Sequence, residues 1–224
     1  MIPYKDNNPT STFPFVTIGI IVLNAVVFFW QISSQAGTRE VTYAYGAIPH
    51  YLLTLEKVQP IHPFMTVFTS MFMHGGFFHL AGNMLYLWIF GDNIEDRLGH
   101  LRFFIFYLFC GITAAYAHAF TSADSLMPMI GASGAVSGIL GAYLLLFPRA
   151  SVHTLIFLGF FVTTIQIPAL IVIGFWAIIQ FINGLLSARL HEGGGIAWFA
   201  HIGGFLIGFA TIKLWLPRRK IQWL

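Results

Sequence analysis

The sequence predicts an all-α polytopic membrane protein: a bundle of six transmembrane helices, with a dipping loop ahead of a short fourth helix. Three observations predict it. Of 224 residues, 57% are hydrophobic and only 8% charged, against about 25% charged in soluble domains. The apolar residues fall in runs near 20 long, the length that crosses a hydrocarbon core. The few Lys and Arg residues gather on one side of those runs. The mean hydropathy of +0.77 agrees. A net charge of +3 resting on so few charges reads as topology and not as a nucleic-acid footprint, so no nucleic-acid partner is expected. The single cysteine, Cys110, lies in an apolar run and makes no internal disulfide, redox or zinc motif.

In chain order, residues 1–12 are polar and read as a short cytoplasmic tail. Span one covers about 13–33; it is too long for a signal-peptide core and no A-x-A site follows. Residues 34–63 form a long connection holding Arg39, Glu40, Glu56 and Lys57. Its section from Tyr43 to Leu53 is too apolar for a solvated loop and is expected in the membrane interface, where tyrosines anchor. Span two is about 74–93, followed by a charged connection from Gly91 to Gly99. Span three is about 101–120, and 121–130 is a polar loop. Span four runs from near Ser133 to Pro148. The apolar tract 151–187 breaks at Gln166-Ile-Pro168; its first piece is short for a crossing and is assigned to the interface, with span five starting near Pro168. Gly193-Gly-Gly195 is a flexible turn, span six covers about 196–216, and 217–224 is a basic cytoplasmic C-terminus.

Thus 13–216 is one membrane domain. Six spans put Lys5, Arg97, Arg102, Arg149, Lys213, Arg218, Arg219 and Lys220 on one side, and Arg39, Lys57 and Arg189 on the other. Eight against three places both termini in the cytoplasm and the chain in a cell membrane.

Polar groups in hydrocarbon are costly and ask for a reason. His74, His79 and Asn83 stand at the start of span two, with His79 and Asn83 on one helix face. His201, Gly204 and Gly208 share a face of span six. Ser133 sits in Gly131-Ala-Ser-Gly-Ala-Val-Ser-Gly138, where close glycines leave its hydroxyl clear. That stretch alone reads more readily as small-residue helix packing. Depth changes the balance. At 1.5 Å per residue, Ser133 and His201 lie roughly 21 and 22 Å above the inner ends of their spans. Asn83 reaches the same depth if span two continues to about Asp96.

Three histidines and an asparagine could also suggest a metal. His74 and His79 are five apart and face differently, and no carboxylate lies nearby. None of the eight carboxylates falls in an apolar segment near His201. That leaves a Ser-His dyad, with Asn83 and His79 as oxyanion donors, and weakens a proton-driven transporter. No metal or organic cofactor is implied. Ser137 offers a rival hydroxyl one turn deeper, where it can bond the i−4 carbonyl.

These residues resemble the rhomboid family of intramembrane serine proteases. Gly131-Ala-Ser133-Gly134 fits G-x-S-G, His201-x-x-Gly204-x-x-x-Gly208 fits H-x-x-G-x-x-x-G, His74-x4-His79-x3-Asn83 fits H-x4-H-x3-N, and Glu95-x3-Gly99 fits E-x3-G. The likeness covers about 13–216.

The resemblance implies Ser133 as nucleophile and His201 as general base. It implies an oxyanion hole from Asn83, His79 and the Ser133 N–H, and site support from His74, nearer the surface, and from Gly131, Gly134, Gly204 and Gly208. It also implies span five as a lateral gate, admitting transmembrane protein substrates from the lipid bilayer. Small residues at the cleavage position and helix breakers in the substrate follow from the same likeness. The runner-up is a rhomboid-like pseudoprotease that binds membrane clients without cleavage; those relatives usually lose the serine or histidine, and both stand here. Two departures occur: Met65-Thr66 where many members carry Trp-Arg, and Ser137 where some carry an aromatic able to stack on the histidine. His201 must therefore be held in another way.

Overall fold

Residues 2–159, 161–190 and 196–217 are described by the computed structural model of the chain. The predicted turn at Gly193–Gly195 and residues 218–224 lie outside them. Nine helices and three strands follow in order among the described residues. β1 is Ile2–Asp6, α1 Phe15–Ser33, α2 Thr38–Tyr45, α3 Pro49–Thr54, α4 Pro63–Ser70, α5 Phe77–Leu98, α6 His100–Thr121 and α7 Ser133–Leu146. Then come β2 Ser151–Leu158, β3 Phe161–Pro168, α8 Ala169–Leu190 and α9 Trp198–Trp215.

Four helices are long and apolar enough to cross a membrane among the described residues: Phe15–Ser33, His100–Thr121, Ala169–Ser187 and Trp198–Trp215. α5 has the length, 22 residues, but carries charge in its last two turns, and α7 has only 14 residues.

The fold is mostly helical but not all-α. Residues 2–6 are a strand and not a loose tail. β1 pairs antiparallel with β2, and β2 with β3, giving a three-stranded sheet in the order β1-β2-β3. The 151–166 piece, expected as an interfacial segment, is the β2–β3 hairpin, turned at Gly159 with φ +63°. Its Val, Thr and Ile content suits a pleated strand, and Val152 and Thr154 are buried two apart, the period of a strand. The hairpin leads straight into α8, whose first two amides bond the turn after α7: Ala169 N to Ala150 O at 2.8 Å, and Leu170 N to Pro148 O at 3.0 Å.

The Gly91–Gly99 stretch is likewise not a connection. α5 runs to Leu98 and stops at Gly99, whose φ of +78° suits glycine. The acids that suggested a solvated loop instead bond the chain's own N-terminal region. Glu95, fully buried, accepts from Val16 N at 2.9 Å and from Thr17 N and Oγ1 at 2.7 Å. A carboxylate there satisfies free N–H groups of α1 and meets the positive end of its dipole. His100 Nδ1 lies 2.6 Å from the same carboxylate. Asp96 accepts from the backbone and side chains of Ser11 and Thr12 at 2.7–3.1 Å.

The first connection is ordered as α2 and α3. Gln59 Nε2 ties it by donating to the carbonyls of Tyr43 and Gly46, both at 2.8 Å. It also pairs with the 121–130 loop through Ala47 and Met129. In the place of the family's Trp-Arg, Thr66 is buried and caps locally by donating to Pro63 O at 2.6 Å.

α7 lies at the centre, with every residue from Gly134 to Tyr143 buried. Against it sit Phe90, Phe103, Phe106 and Tyr107 from α5 and α6. Its closest partner is α9. A Cβ on Gly204 would overlap the Gly134 carbonyl, and one on Gly208 the Gly138 carbonyl. These two glycines let the helix backbones touch, as small-xxx-small stripes do in membranes. Near the C-terminal end of α7, Tyr143 donates to Asp6 of β1.

Candidate active site

Ser133 is the first residue of α7. The chain reaches it through Gly131, whose φ is +127° and whose amide donates to Ser70 O at 2.9 Å. A side chain at Gly131 is excluded twice, by that φ and by the His79 ring, which would lie 2.9 Å from a Cβ there. The glycine therefore lets His79 of α5 stand directly against the serine loop.

His201 lies in the first turn of α9. The Gly134/Gly204 contact holds the two helix starts together, and His201 Nε2 is 2.7 Å from Ser133 Oγ. The matched depths read from the sequence thus end in a hydrogen bond. On the other side of the ring, Nδ1 is 2.7 Å from Gln180 Oε1 of α8. Trp176 and Trp198 flank the imidazole, with centroids at 6.3 and 6.1 Å and interplanar angles of 38° and 86°. With Ser137 in place of an aromatic, the rings against His201 come from α8 and α9 instead.

His79 and Asn83 face the same space from α5. Asn83 is 8% exposed, and its Nδ2 donates to His79 O at 3.0 Å. A carboxamide carries two N–H groups, so one remains for the cavity. His79 Nδ1 accepts from Gly75 N at 3.3 Å, which leaves the ring proton on Nε2 as a donor. Ser133, His201, Asn83, His79, Gln180 and Trp176 all line one open cavity of about 560 Å³, together with Tyr86 and Leu140.

His74 is fully buried behind His79; its ring meets His79 edge-on at 5.0 Å, and its amide donates to Gln31 Oε1 at 3.1 Å. Gly134, Gly204 and Gly208 line the α7–α9 contact and not the cavity. Ser137 is 1% exposed and donates to Ser133 O at 2.6 Å, so its hydroxyl is engaged in the helix.

Sequence reasoning missed Gln180, Trp176 and Trp198. A signal existed: Gln180 is a polar residue in an otherwise apolar run, with Trp176 at i−4 on its face.

The chain belongs to the rhomboid family. The family model described as "Rhomboid domain" matches residues 62–218. The chain is 30% identical over 216 residues to "Rhomboid protease GluP" of Bacillus subtilis, covering 96% of this chain and 37% of the relative. It is 29% identical over 148 residues to "Rhomboid protein 1, mitochondrial" of Saccharomyces cerevisiae, covering 64% and 40%. A third relative, "RHOMBOID-like protein 6, mitochondrial" of Arabidopsis thaliana, is 29% identical over 246 residues, covering 98% and 74%. The chain thus spans about two-fifths of the length of the first two. The family and the apolar helices together identify a multi-pass membrane protein.

Proposed function

We propose that the chain is an intramembrane serine endopeptidase that cleaves transmembrane segments of membrane proteins through a Ser133–His201 dyad and an acyl-enzyme. The observation that carries this reading is the 2.7 Å contact between Ser133 Oγ and His201 Nε2 inside the cavity. Ser133 Oγ attacks the scissile carbonyl as its proton passes to Nε2. The negative oxygen is met by Asn83 Nδ2, His79 Nε2 and the Ser133 N–H, a reading supported by the three residues lining one cavity. The imidazolium returns its proton to the leaving amine nitrogen, and water then hydrolyses the ester. GluP, named a rhomboid protease, supports the same chemistry by likeness.

In this reading α5 and α7 complete six spans with both termini cytoplasmic, in a cell membrane. The 121–132 segment dips to bring Ser133 below the outer surface, where irregular backbone is tolerated beside a wet cavity. Substrate helices enter laterally beside α8, and small residues fit the cleavage position.

A fluorophosphonate probe tests the proposal. Wild type should label covalently and cleave a model transmembrane substrate, and Ser133→Ala should do neither while keeping its melting temperature. Binding of a membrane client by a wild type that is neither labelled nor cleaves would favour the pseudoprotease reading. Retained cleavage in Ser133→Ala would move the nucleophile elsewhere.

A further inference from the structure

The geometry points to Gln180 as the positioning residue that sets the tautomer and orientation of the His201 imidazole, an assignment that rests on the proposed use of His201 as general base. A neutral imidazole carries one ring proton. It can take the proton of Ser133 only if Nε2 is bare and its lone pair meets Oγ–H, so the ring proton must reside on Nδ1. A buried N–H needs an acceptor. A serine-protease triad supplies a carboxylate there; here the partner is the carboxamide oxygen of Gln180, 2.7 Å from Nδ1.

Gln180 is itself 8% exposed and comes from α8, a different helix from the base. Trp176, one turn earlier, covers the ring from the same helix, and Trp198 meets it edge-on. The imidazole is therefore oriented from three directions: Ser133 at Nε2, Gln180 at Nδ1, and indole rings at its sides. A neutral amide does this without placing a second charge at membrane depth, where a carboxylate would be costly. Proton accounting leaves Gln180 unchanged. The Ser133 proton goes to Nε2, the Nδ1–H stays with Oε1 throughout, and the Nε2 proton leaves with the amine.

The test uses the full chain in detergent or lipid nanodiscs, with two substitutions and two readouts. Gln180→Leu keeps similar volume and removes the acceptor; Gln180→Glu keeps an oxygen acceptor. The Leu variant should lose about tenfold to a hundredfold in kcat, as expected when a general base is misoriented, with KM within about twofold and an unchanged melting temperature. The Glu variant should recover most of that loss. The second readout is nitrogen NMR of 15N-histidine protein, with His201 assigned by its absence in His201→Ala. Wild type should show the Nδ1–H form, and Gln180→Leu a mixture of both tautomers.

An unchanged tautomer in Gln180→Leu would overturn the assignment. So would a kcat loss that follows the melting temperature and is not recovered by Glu. The tautomer readout needs no substrate: a Gln180-dependent tautomer in a chain that hydrolyses nothing would keep the positioning role and remove the protease reading.

Discussion

The contact between α7 and α9 and the contact of α8 with both are built on different principles. α7 and α9 meet backbone to backbone: Gly204 and Gly208 receive the carbonyls of Gly134 and Gly138, and a Cβ on Gly141 would strike Phe205 O. Beyond its first two amides, which bond Ala150 O and Pro148 O, α8 meets α9 through side chains. Its Gly174 has nothing within 4 Å of a would-be Cβ, and Gly184 faces side-chain atoms of Ile202 and Trp198 at 3.0 and 3.5 Å. Leu170, Ile171, Phe175, Ile178 and Phe181 on α8 are exposed. Ser133 and His201 thus ride on the closely packed pair, while Gln180 and Trp176, which contact the His201 ring, ride on the helix held by side chains. One part of the site is held by shape that cannot give, and the other by contacts that can be remade.

The same substitution on the two sides breaks that comparison most directly. Gly208→Ala drives a methyl into the Gly138 backbone and should force the helices apart. Overpacking typically costs about 1–3 kcal/mol, more where backbone must move, so a large drop in melting temperature and near-complete loss of activity are expected. Gly174→Ala adds its methyl to open space in a helix interior and should stabilise by about 0.5–1 kcal/mol. Melting curves of both variants in one detergent check the pair; equal effects would erase the distinction between the two regions.

Asn83 sharpens the comparison, because it belongs to neither side. Loss of one oxyanion donor costs about 10²–10³ in rate. Asn83→Ala should therefore lower kcat strongly, less than Ser133→Ala, with KM and melting temperature little changed. A plain interhelical hydrogen bond averages only about 0.6 kcal/mol in membranes and would show as a lower melting temperature with unchanged kcat per folded molecule. Measuring both quantities on one preparation decides.

The smallest effect lies near the C-terminal end of α7, where Tyr143 meets Asp6. Burial holds the Asp6 carboxyl above its ordinary value of 3.8, the Tyr143 hydrogen bond opposing this in part. A carboxyl with a raised native pKa favours folding fully below its unfolded value, and that contribution fades as pH rises through the native value. Asp6→Asn keeps an acceptor for Tyr143 and removes the titration. Wild type should thus lose stability relative to Asp6→Asn as pH climbs from about 4 toward neutral, seen as a widening gap in melting temperature. A gap independent of pH would place the ionisation of Asp6 elsewhere.

Ser133 and His201 were legible because both depend on features a linear chain displays: small residues around a hydroxyl, and distance along a helix. The α7–α9 contact was legible for the same reason, as matched glycine spacing. The sheet was not. Residues 151–168 are apolar enough to resemble membrane segments, and a short apolar run does not declare its period against that background. Gly91–Gly99 misled because its acids satisfy α1 and the Ser11-Thr12 turn, partners more than 70 residues away. Gln180 escaped because attention to buried charge and histidine passes over a neutral amide, although the cost of burying it unpaired is also real.

The attachment of α8 has a consequence for the membrane around the protein. Its first amides are pinned to Ala150 O and Pro148 O, while Gln180 lies three turns further along. By helix rise, that is a lever of about 16 Å. A swing of about 10° about the pinned end carries Gln180 by about 3 Å over that length, enough to part a 2.7 Å hydrogen bond. Helices alter their tilt to match the thickness of the hydrocarbon around them, and α8 presents much of its surface to that hydrocarbon. A change in the tilt of α8 would therefore reach His201 through one amide oxygen, while Ser133 and His201 stay where the glycine contact holds them.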